Sequence, residues 1–229
     1  MTKEELKQEL VKLGVSTQVE DLETLLNDTL ETNKLFNLTA ITDEEKFREL
    51  MILDSAYPLK YFDFTDKKVI DVGTGAGYPG MVLATLSKGE FTLLDSTRKK
   101  VDFIRNYATE SHYFNVKTVS ERAEIYAKNQ REEFDFATAR AVSELSVPIE
   151  IVVPLLKVGG YFIALKGNKG LEELEASKTI LNKLGAVVDQ IDEYYLPESK
   201  EKRINIIIKK VKKTSNKYPR DYSEIIKNI

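Results

Sequence analysis

The chain has 229 residues, 42% of them hydrophobic, which suffices for one α/β domain with an appendage or for two small domains. It has no cysteine and one histidine, His112, which excludes disulfides, zinc–thiolate and iron–sulfur sites, a cysteine nucleophile and a polyhistidine metal site. The formal net charge of −3 excludes a uniformly basic surface, and no apolar run is long enough to span a membrane.

From Lys3 to about Tyr57 the pattern is helical. Val19, Leu22, Leu26, Leu30 and Asn33 share one face, with Leu25 beside them. Thr42-Asp43-Glu44-Glu45 opens a further helix with acids in its first turn. Residues 1–60 are therefore expected to form a helical segment packed on a main domain, residues 61–229. The N-terminal "MTKEELKQEL" alternates charges and lacks the profile of a signal peptide, so a cytoplasmic protein is expected.

Near Lys67 the rhythm changes. "KVIDV" reads as a short buried strand, followed by the turn "DVGTGAGYPG" and a helix. "FTLLD" is a second strand, and Thr97 to Glu110 is a helix with Val101, Ile104 and Ala108 on one face. "NVKTV" and "FDFATAR" are the third and fourth strands. Ser143 to Leu156 reads as helix despite Pro148 and Pro154, "GYFIALKG" as a fifth strand and Leu171 to Leu184 as helix. "AVVDQIDEYYL" and "RINIIIKKV" close the series with no helical pattern between them. Strands alternating with helices predict a parallel sheet covered on both faces, and the last two strands predict an antiparallel hairpin at one edge. That ending departs from a plain dinucleotide fold. It resembles the α/β, Rossmann-like class I methyltransferases, with a mostly parallel seven-stranded sheet.

Charge is uneven along the chain. Lys200 to Arg220 carries nine basic residues against the single acid Glu201, while the first sixty residues lean acidic. Such a stretch suits an anionic partner met by one surface, or a solvated edge strand guarded by lysines.

The glycine turn points to a ligand, because glycine there costs chain entropy and permits close backbone approach. Gly73, Gly75 and Gly77 form G-x-G-x-G. In the dinucleotide fingerprint the third glycine would fall on Tyr78, which is bulky, so a nicotinamide cofactor is disfavoured. S-adenosylmethionine has no pyrophosphate to cradle, and three close glycines preceded by Asp71 suit it better. Asp95 ends the second strand at the place where an acid can accept from both ribose hydroxyls. The alternative is a helix cap, which Ser96 or Thr97 can also supply. Glu124, beside Ala123, either accepts from an adenine amino group or is simply an acid in a first helical turn.

Arg140 ends the fourth strand, where reacting groups gather in open α/β sheets. The sequence there, "ARAVSEL", lacks the Asp/Asn-Pro-Pro-aromatic pattern of exocyclic-amine methylation, and pyrimidine carbon-5 methylation needs the absent cysteine. What remains is an acceptor needing little activation, such as guanine N7, or a hydroxyl deprotonated by a group such as Lys166. N7 carries an outward lone pair and no proton, so transfer requires alignment rather than a general base. Arg140 then orients the cofactor's carboxylate or bonds guanine O6, with a structural ion pair as the alternative. His112 receives no role.

The blocks "NLTAI", "LDSAYPL", "DVGTGAGYPG", "LLDSTRKKVDFI", "ERAE", "TARAVSEL", "ALKG" and "KYPR" appear in this order across most of the chain. Together they resemble the 16S ribosomal RNA guanine-N7 methyltransferases, the glucose-inhibited division protein B family. The resemblance implies methylation of guanine N7 in the 530 loop of small-subunit rRNA with S-adenosylmethionine. It also implies cofactor contacts at Gly73, Tyr78, Ala123, Glu124 and Arg140, with Tyr78-Pro79 shaping the pocket wall. Arg140 is the expected catalytic residue, and Asp71, Gly75, Gly77 and Asp95 complete the expected cofactor set. Lys99, Lys100, Lys166, Lys169, Arg203 and Arg220, at strand ends or in the basic stretch, are the candidates for phosphate contacts. The expected partner is 16S rRNA or a small-subunit assembly intermediate, met by a monomer without metal or membrane, and recognised by shape. Two departures from the family pattern stand out. Leu50-Met51 replaces its Arg-His before the "LDS" block, with Arg48 a possible substitute one turn away, and Asn228-Ile229 replaces its terminal Pro-Leu or Pro-Ile. The competing functions are a methyltransferase for small molecules or proteins, and a non-catalytic ribosome-binding factor.

Overall fold

The structure is a computed structural model that describes residues 1–15, 18–140 and 143–228. Ser16 and Thr17 of the N-terminal segment, Ala141-Val142 of the "TARAVSEL" block and Ile229 lie outside the described residues.

Helix α1 (Lys3–Lys12) starts at a reciprocal cap, in which Thr2 and Glu5 each bond the other's backbone N–H. Helix α2 (Val19–Asn33) buries Val19, Leu22, Leu25, Leu26 and Thr29. Asn33 is not part of that buried face; its side chain accepts from the Leu38 and Thr39 N–H groups and turns the chain. Next come α3 (Glu44–Phe47), a π-helical stretch over Arg48–Leu53, α4 (Asp54–Ala56) and a 3-10 turn over Tyr57–Lys60. Asp43 caps α3 by accepting from the Lys46 N–H at 2.9 Å.

The strands are β1 (Lys68–Val72), β2 (Glu90–Asp95), β3 (Val116–Ser120), β4 (Phe134–Arg140), β5 (Leu156–Lys166), β6 (Ala186–Tyr195) and β7 (Lys202–Lys210). They form one sheet in the order β3-β2-β1-β4-β5-β7-β6. The first five run parallel, and β7 is antiparallel to both β5 and β6. Helices α5 (Gly80–Leu86), α6 (Arg98–Glu110), α7 (Ala123–Asn129), α8 (Ser146–Val152) and α9 (Gly170–Leu184) connect them, and α10 (Tyr222–Ile225) follows β7. This is the architecture that the alternation of strands and helices predicts. Strand order reverses between β1 and β4, so a crevice opens beyond their carboxyl ends.

Three expectations change. The helix expected from Ser143 begins only at Ser146, with Pro148 in its first turn, where a missing N–H breaks no helical bond. Pro154 sits in a 3-10 turn, and β5 begins at Leu156 rather than at Gly160. The basic stretch is not an edge strand. Ile204, Ile206, Ile207 and Ile208 are buried, which draws β7 into the sheet and leaves the more acidic β6 at the edge. Lys210, fully buried, donates to the Leu156 carbonyl at 2.8 Å and lies 3.2 Å from Glu132.

Two apolar layers cover the sheet. One joins Leu6, Leu10, Leu22 and Phe47 of the N-terminal helices to Tyr78, Met81, Phe91, Leu93 and Ile207. The other joins Ile70, Leu94, Ala137, Leu145, Ile149, Leu181 and Ile206. The N-terminal helices thus share a core with the sheet. Among the described residues no helix is long and apolar enough to cross a membrane.

Candidate functional site

The turn after β1 is tied to β2. The Gly73 and Thr74 N–H groups donate to the Leu94 carbonyl at 2.8 and 3.0 Å, and the Gly75 N–H donates to Asp95 Oδ2 at 2.9 Å. Gly75 has φ +59°, and no heavy atom lies within 4 Å of where a Cβ would project, so its outer side is an open cradle.

Asp71 lies beneath this turn and is buried. Its Oδ2 accepts the Gly80 N–H and its Oδ1 the Thr138 hydroxyl, both at 2.9 Å. Burial pushes its carboxyl pKa up, partly offset by these bonds. Its place is that of an anchor under the turn. Gly80, which sequence reasoning left without a role, is the close-packing glycine. A Cβ there would lie 2.1 Å from Leu93 Cδ2 and 2.9 Å from Asp71 Oδ2. The signal was present: a glycine after proline, opening the helix, two positions beyond Tyr78. At Gly77 a Cβ would meet Met81 Cγ at 2.9 Å.

Tyr78 is buried against the N-terminal helices. Its hydroxyl pairs with Thr29 Oγ1 at 2.9 Å, and its ring meets Phe47 edge-on at 5.4 Å, which docks α2 and α3 on the turn. The Tyr78-Pro79 bond is cis.

A cavity of about 260 Å³ lies beside the turn, lined by Gly73, Asp95, Ala123 and Glu124 among others. Four of the expected cofactor residues, far apart in sequence, therefore meet in one place. Val72, Leu94, Val147, Pro148 and Ile151 give it apolar walls. Besides bracing Gly75, Asp95 accepts the Thr97 N–H on Oδ1 at 2.8 Å, so it also opens α6. Each of its oxygens accepts one backbone N–H and keeps a second lone pair for a ligand. Glu124 occupies the first turn of α7, and its Oε1 accepts from Arg122 Nε at 2.5 Å. A purine nucleoside fits this donor set: apolar walls for the base, and carboxylates for ribose hydroxyls and an exocyclic amine.

A second cavity, of about 580 Å³, is lined by Ile41, Leu50, Met51, Asp54, Arg140, Lys166, Lys169 and Arg203 among others. The Arg140 guanidinium bonds the Leu50 carbonyl at 2.8 Å and Met51 Sδ at 3.0 Å, and lies 3.8 Å from Asp54 Oδ2. Burial lowers its pKa, opposed by Asp54 and Asp71. Asp54 is the residue the sequence did not single out. It is buried, accepting from Tyr194 Oη at 3.0 Å and Arg203 Nε at 3.2 Å. Burial, with Asp54 alongside, pushes the Tyr194 phenol far up. Lys166 lies 2.6 Å from Glu173 and donates to the Ser143 carbonyl at 3.0 Å. Ser143 lines the first cavity, so this hydrogen bond joins the linings of the two cavities.

The Leu50-Met51 pair thus sits directly against Arg140. Arg48 does not substitute for it: the guanidinium is turned to α2, held by both Glu23 oxygens at 2.7 Å. Lys99 and Lys100 lie in the first turn of α6, Lys99 above the Phe36 ring at 6.0 Å. Arg220 is engaged with Glu150, itself buried, at 2.8 and 2.6 Å. His112 is exposed, in the turn after α6.

The family model for GidB, rRNA small subunit methyltransferase G, matches residues 18–204. The chain is 39% identical over 220 residues to ribosomal RNA small subunit methyltransferase G of Staphylococcus aureus strain JH9, covering 95% of this chain and 92% of the relative. It is 39% identical over 226 residues to the protein of the same name from Staphylococcus epidermidis, covering 96% and 95%. Among solved structures, a SAM dependent methyltransferase from Aquifex aeolicus superposes with a TM-score of 0.54 at 20% identity, over 74% of this chain and 94% of that one. That similarity is one of fold.

Proposed function

Because the chain belongs to the GidB family, rRNA small subunit methyltransferase G, we propose that it methylates N7 of a guanine in the 530 loop of 16S rRNA. The methyl donor is S-adenosylmethionine. The observation that supports this reading is the hydrogen bond from Lys166 to Ser143 that joins two cavity linings: one offers the carboxylates of Asp95 and Glu124 between apolar walls, the other Arg140, Lys166, Lys169 and Arg203.

The bound cofactor supplies an electrophilic methyl group on a sulfonium sulfur, and guanine N7 accepts it through an unprotonated lone pair. The protein's work is then placement. Asp95 receives the ribose hydroxyls, Glu124 and the Ala123 N–H the adenine edge, and the open side of Gly75 admits the close approach of the ligand backbone. Asp71 and Gly80 fix the turn from below. Arg140 is a fixed cation that orients the cofactor's carboxylate; direct opposition to the purine cation formed on transfer would be unfavourable. Lys166, Lys169 and Arg203 meet backbone phosphates around the second cavity, and Lys99 and Lys100 extend that contact. Arg220 is left out of this set, since it lines neither cavity and its guanidinium is held by Glu150 of α8. The substrate is 16S rRNA or a small-subunit intermediate, bound by a cytoplasmic monomer.

The test incubates the protein with methyl-labelled S-adenosylmethionine and small subunits lacking the modification, or their rRNA, and maps 7-methylguanosine by borohydride–aniline cleavage. One labelled guanine in the 530 loop is expected. Label at another base would keep the chemistry and overturn the assigned position. No label, with cofactor still bound, would overturn the acceptor.

A further inference from the structure

The first cavity has one wall that comes from neither the sheet nor its connecting helices. Tyr222, on α10 after β7, lines it together with Gly73, Asp95 and Glu124. The route of the chain explains how a segment so distant in sequence reaches this place. Thr214 Oγ1 donates to the Leu184 carbonyl at 2.7 Å. Arg131 then collects the Thr214 and Tyr218 carbonyls, and Tyr218 and Ile225 bury themselves in the second apolar layer. Between them Arg220 forks onto Glu150 of α8, with its own N–H donating to the same carboxylate at 3.0 Å. Val147, Pro148 and Ile151 of that helix line the cavity. The segment is therefore anchored to the helix that forms the cavity's apolar side, and Lys128 of α7 pairs with Asp221 beside it.

Tyr222 itself is not held as a core residue is. It is 37% exposed, and its ring carries the Arg122 guanidinium at 4.8 Å. Arg122 in turn donates to Glu124 at 2.5 Å. Ring, guanidinium and carboxylate form a chain of contacts along the rim, so the ring both offers an aromatic surface to the cavity and steadies the cation that fixes Glu124.

We propose that the segment Tyr218–Ile225 is a clasp on the cofactor cavity and that Tyr222 is a cofactor-binding residue, its ring forming the outer wall for the adenine, with Arg122 as a positioning residue for Glu124. The inference rests on the cofactor reading above. It requires the aromatic face of Tyr222 and not its hydroxyl.

The test is calorimetric titration of the full chain with S-adenosylhomocysteine, alongside the melting temperature without ligand. Y222A is expected to raise Kd about tenfold, the scale of one base–aromatic contact, with the ligand-free melting temperature unchanged. Y222F is expected to bind like the parent. If Y222A also melts lower, Y222L decides, since it keeps apolar volume without an aromatic face: weaker binding at the parent's melting temperature supports the clasp, and unchanged binding overturns it. Equal affinities of parent and Y222A overturn the proposal while leaving the cofactor reading intact. A parent chain that binds no S-adenosylhomocysteine overturns that reading first.

Discussion

On the β2 side of the switch point, the two acids at the glycine turn are answered mostly by backbone, with the Thr138 hydroxyl a side-chain partner of Asp71. Asp95 takes the N–H groups of Gly75 and Thr97, and Asp71 takes that of Gly80. On the β5 side the cations are answered largely by carboxylate side chains: Arg203 and Arg140 by Asp54, brought from far along the chain, and Lys166 by Glu173 of the following helix. The first arrangement follows from one strand–turn–helix unit and its neighbour. The second exists only when the N-terminal helices, β4, β5 and β7 are all in place. A buried acid among cations is also the more sensitive design, because removing one partner leaves an uncompensated charge.

Four substitutions sharpen or break this contrast. Arg140→Ala, where the two sides meet, is expected to lower kcat for methyl transfer about a hundredfold, the cost of a misplaced reacting pair. Single-turnover kinetics with small subunits would measure it, and an unchanged rate would return Arg140 to the rank of a structural ion pair. Asp54→Ala tests the side-chain-built half. It leaves Arg203 and Arg140 without their shared buried carboxylate and is expected to cost about 2–3 kcal/mol in urea unfolding, at the lower end for such a pair because Arg203 keeps some solvent contact. A loss below about 0.5 kcal/mol would mean that the network contributes little to folding.

Gly80→Ala tests the backbone-built half. The added methyl meets Leu93 and Asp71 at impossible distances, so these buried side chains or α5 must shift, at a cost of about 1–3 kcal/mol. Weaker S-adenosylhomocysteine binding should accompany the lower melting temperature. Binding at the parent's affinity would show that the turn tolerates movement of its helix. The smallest effect is expected for Lys169→Ala, an exposed cation at the start of α9. Its contribution is read in the salt dependence of RNA affinity, where each lost phosphate contact lowers the slope of log K against log salt by about 0.7–0.9. An unchanged slope would place Lys169 outside the RNA contact.

Much of the first half was legible in sequence because it is local. "KVIDV", four glycines and "FTLLD" fix a strand, a turn and a neighbouring strand, and Asp95 at the end of that strand has only the turn to face. Even so, the pattern does not show which way two of its side chains turn. Asp71 and Tyr78 sit beside the glycines in sequence, but one turns beneath the sheet's end and the other toward α2, and Gly80 takes the packing role. The alternation of side chains around a tight turn decides this, and a motif does not record it. The second half was legible only as a set of basic residues. Lys166, Lys169 and Arg203 do converge on one cavity, two of them already paired with Glu173 and Asp54, while Arg220 and Lys210, equally basic in the sequence, are held elsewhere by Glu150 and Glu132. Nothing in a run of lysines and arginines tells which acid each will meet.

The sequence by itself determined the elements, their alternation and the place of the ligand turn, because strand and helix periodicity and glycine chemistry act within a few residues. Tertiary structure alone decided that β7 would lie inside the sheet, that Asp54 would sit between two arginines, and that a segment beyond β7 would return to the cavity beside the glycine turn. Those outcomes depend on burial and on charge pairing between residues seventy or more positions apart, where the cost of desolvating an ion is met or left unmet by whatever the fold places opposite it.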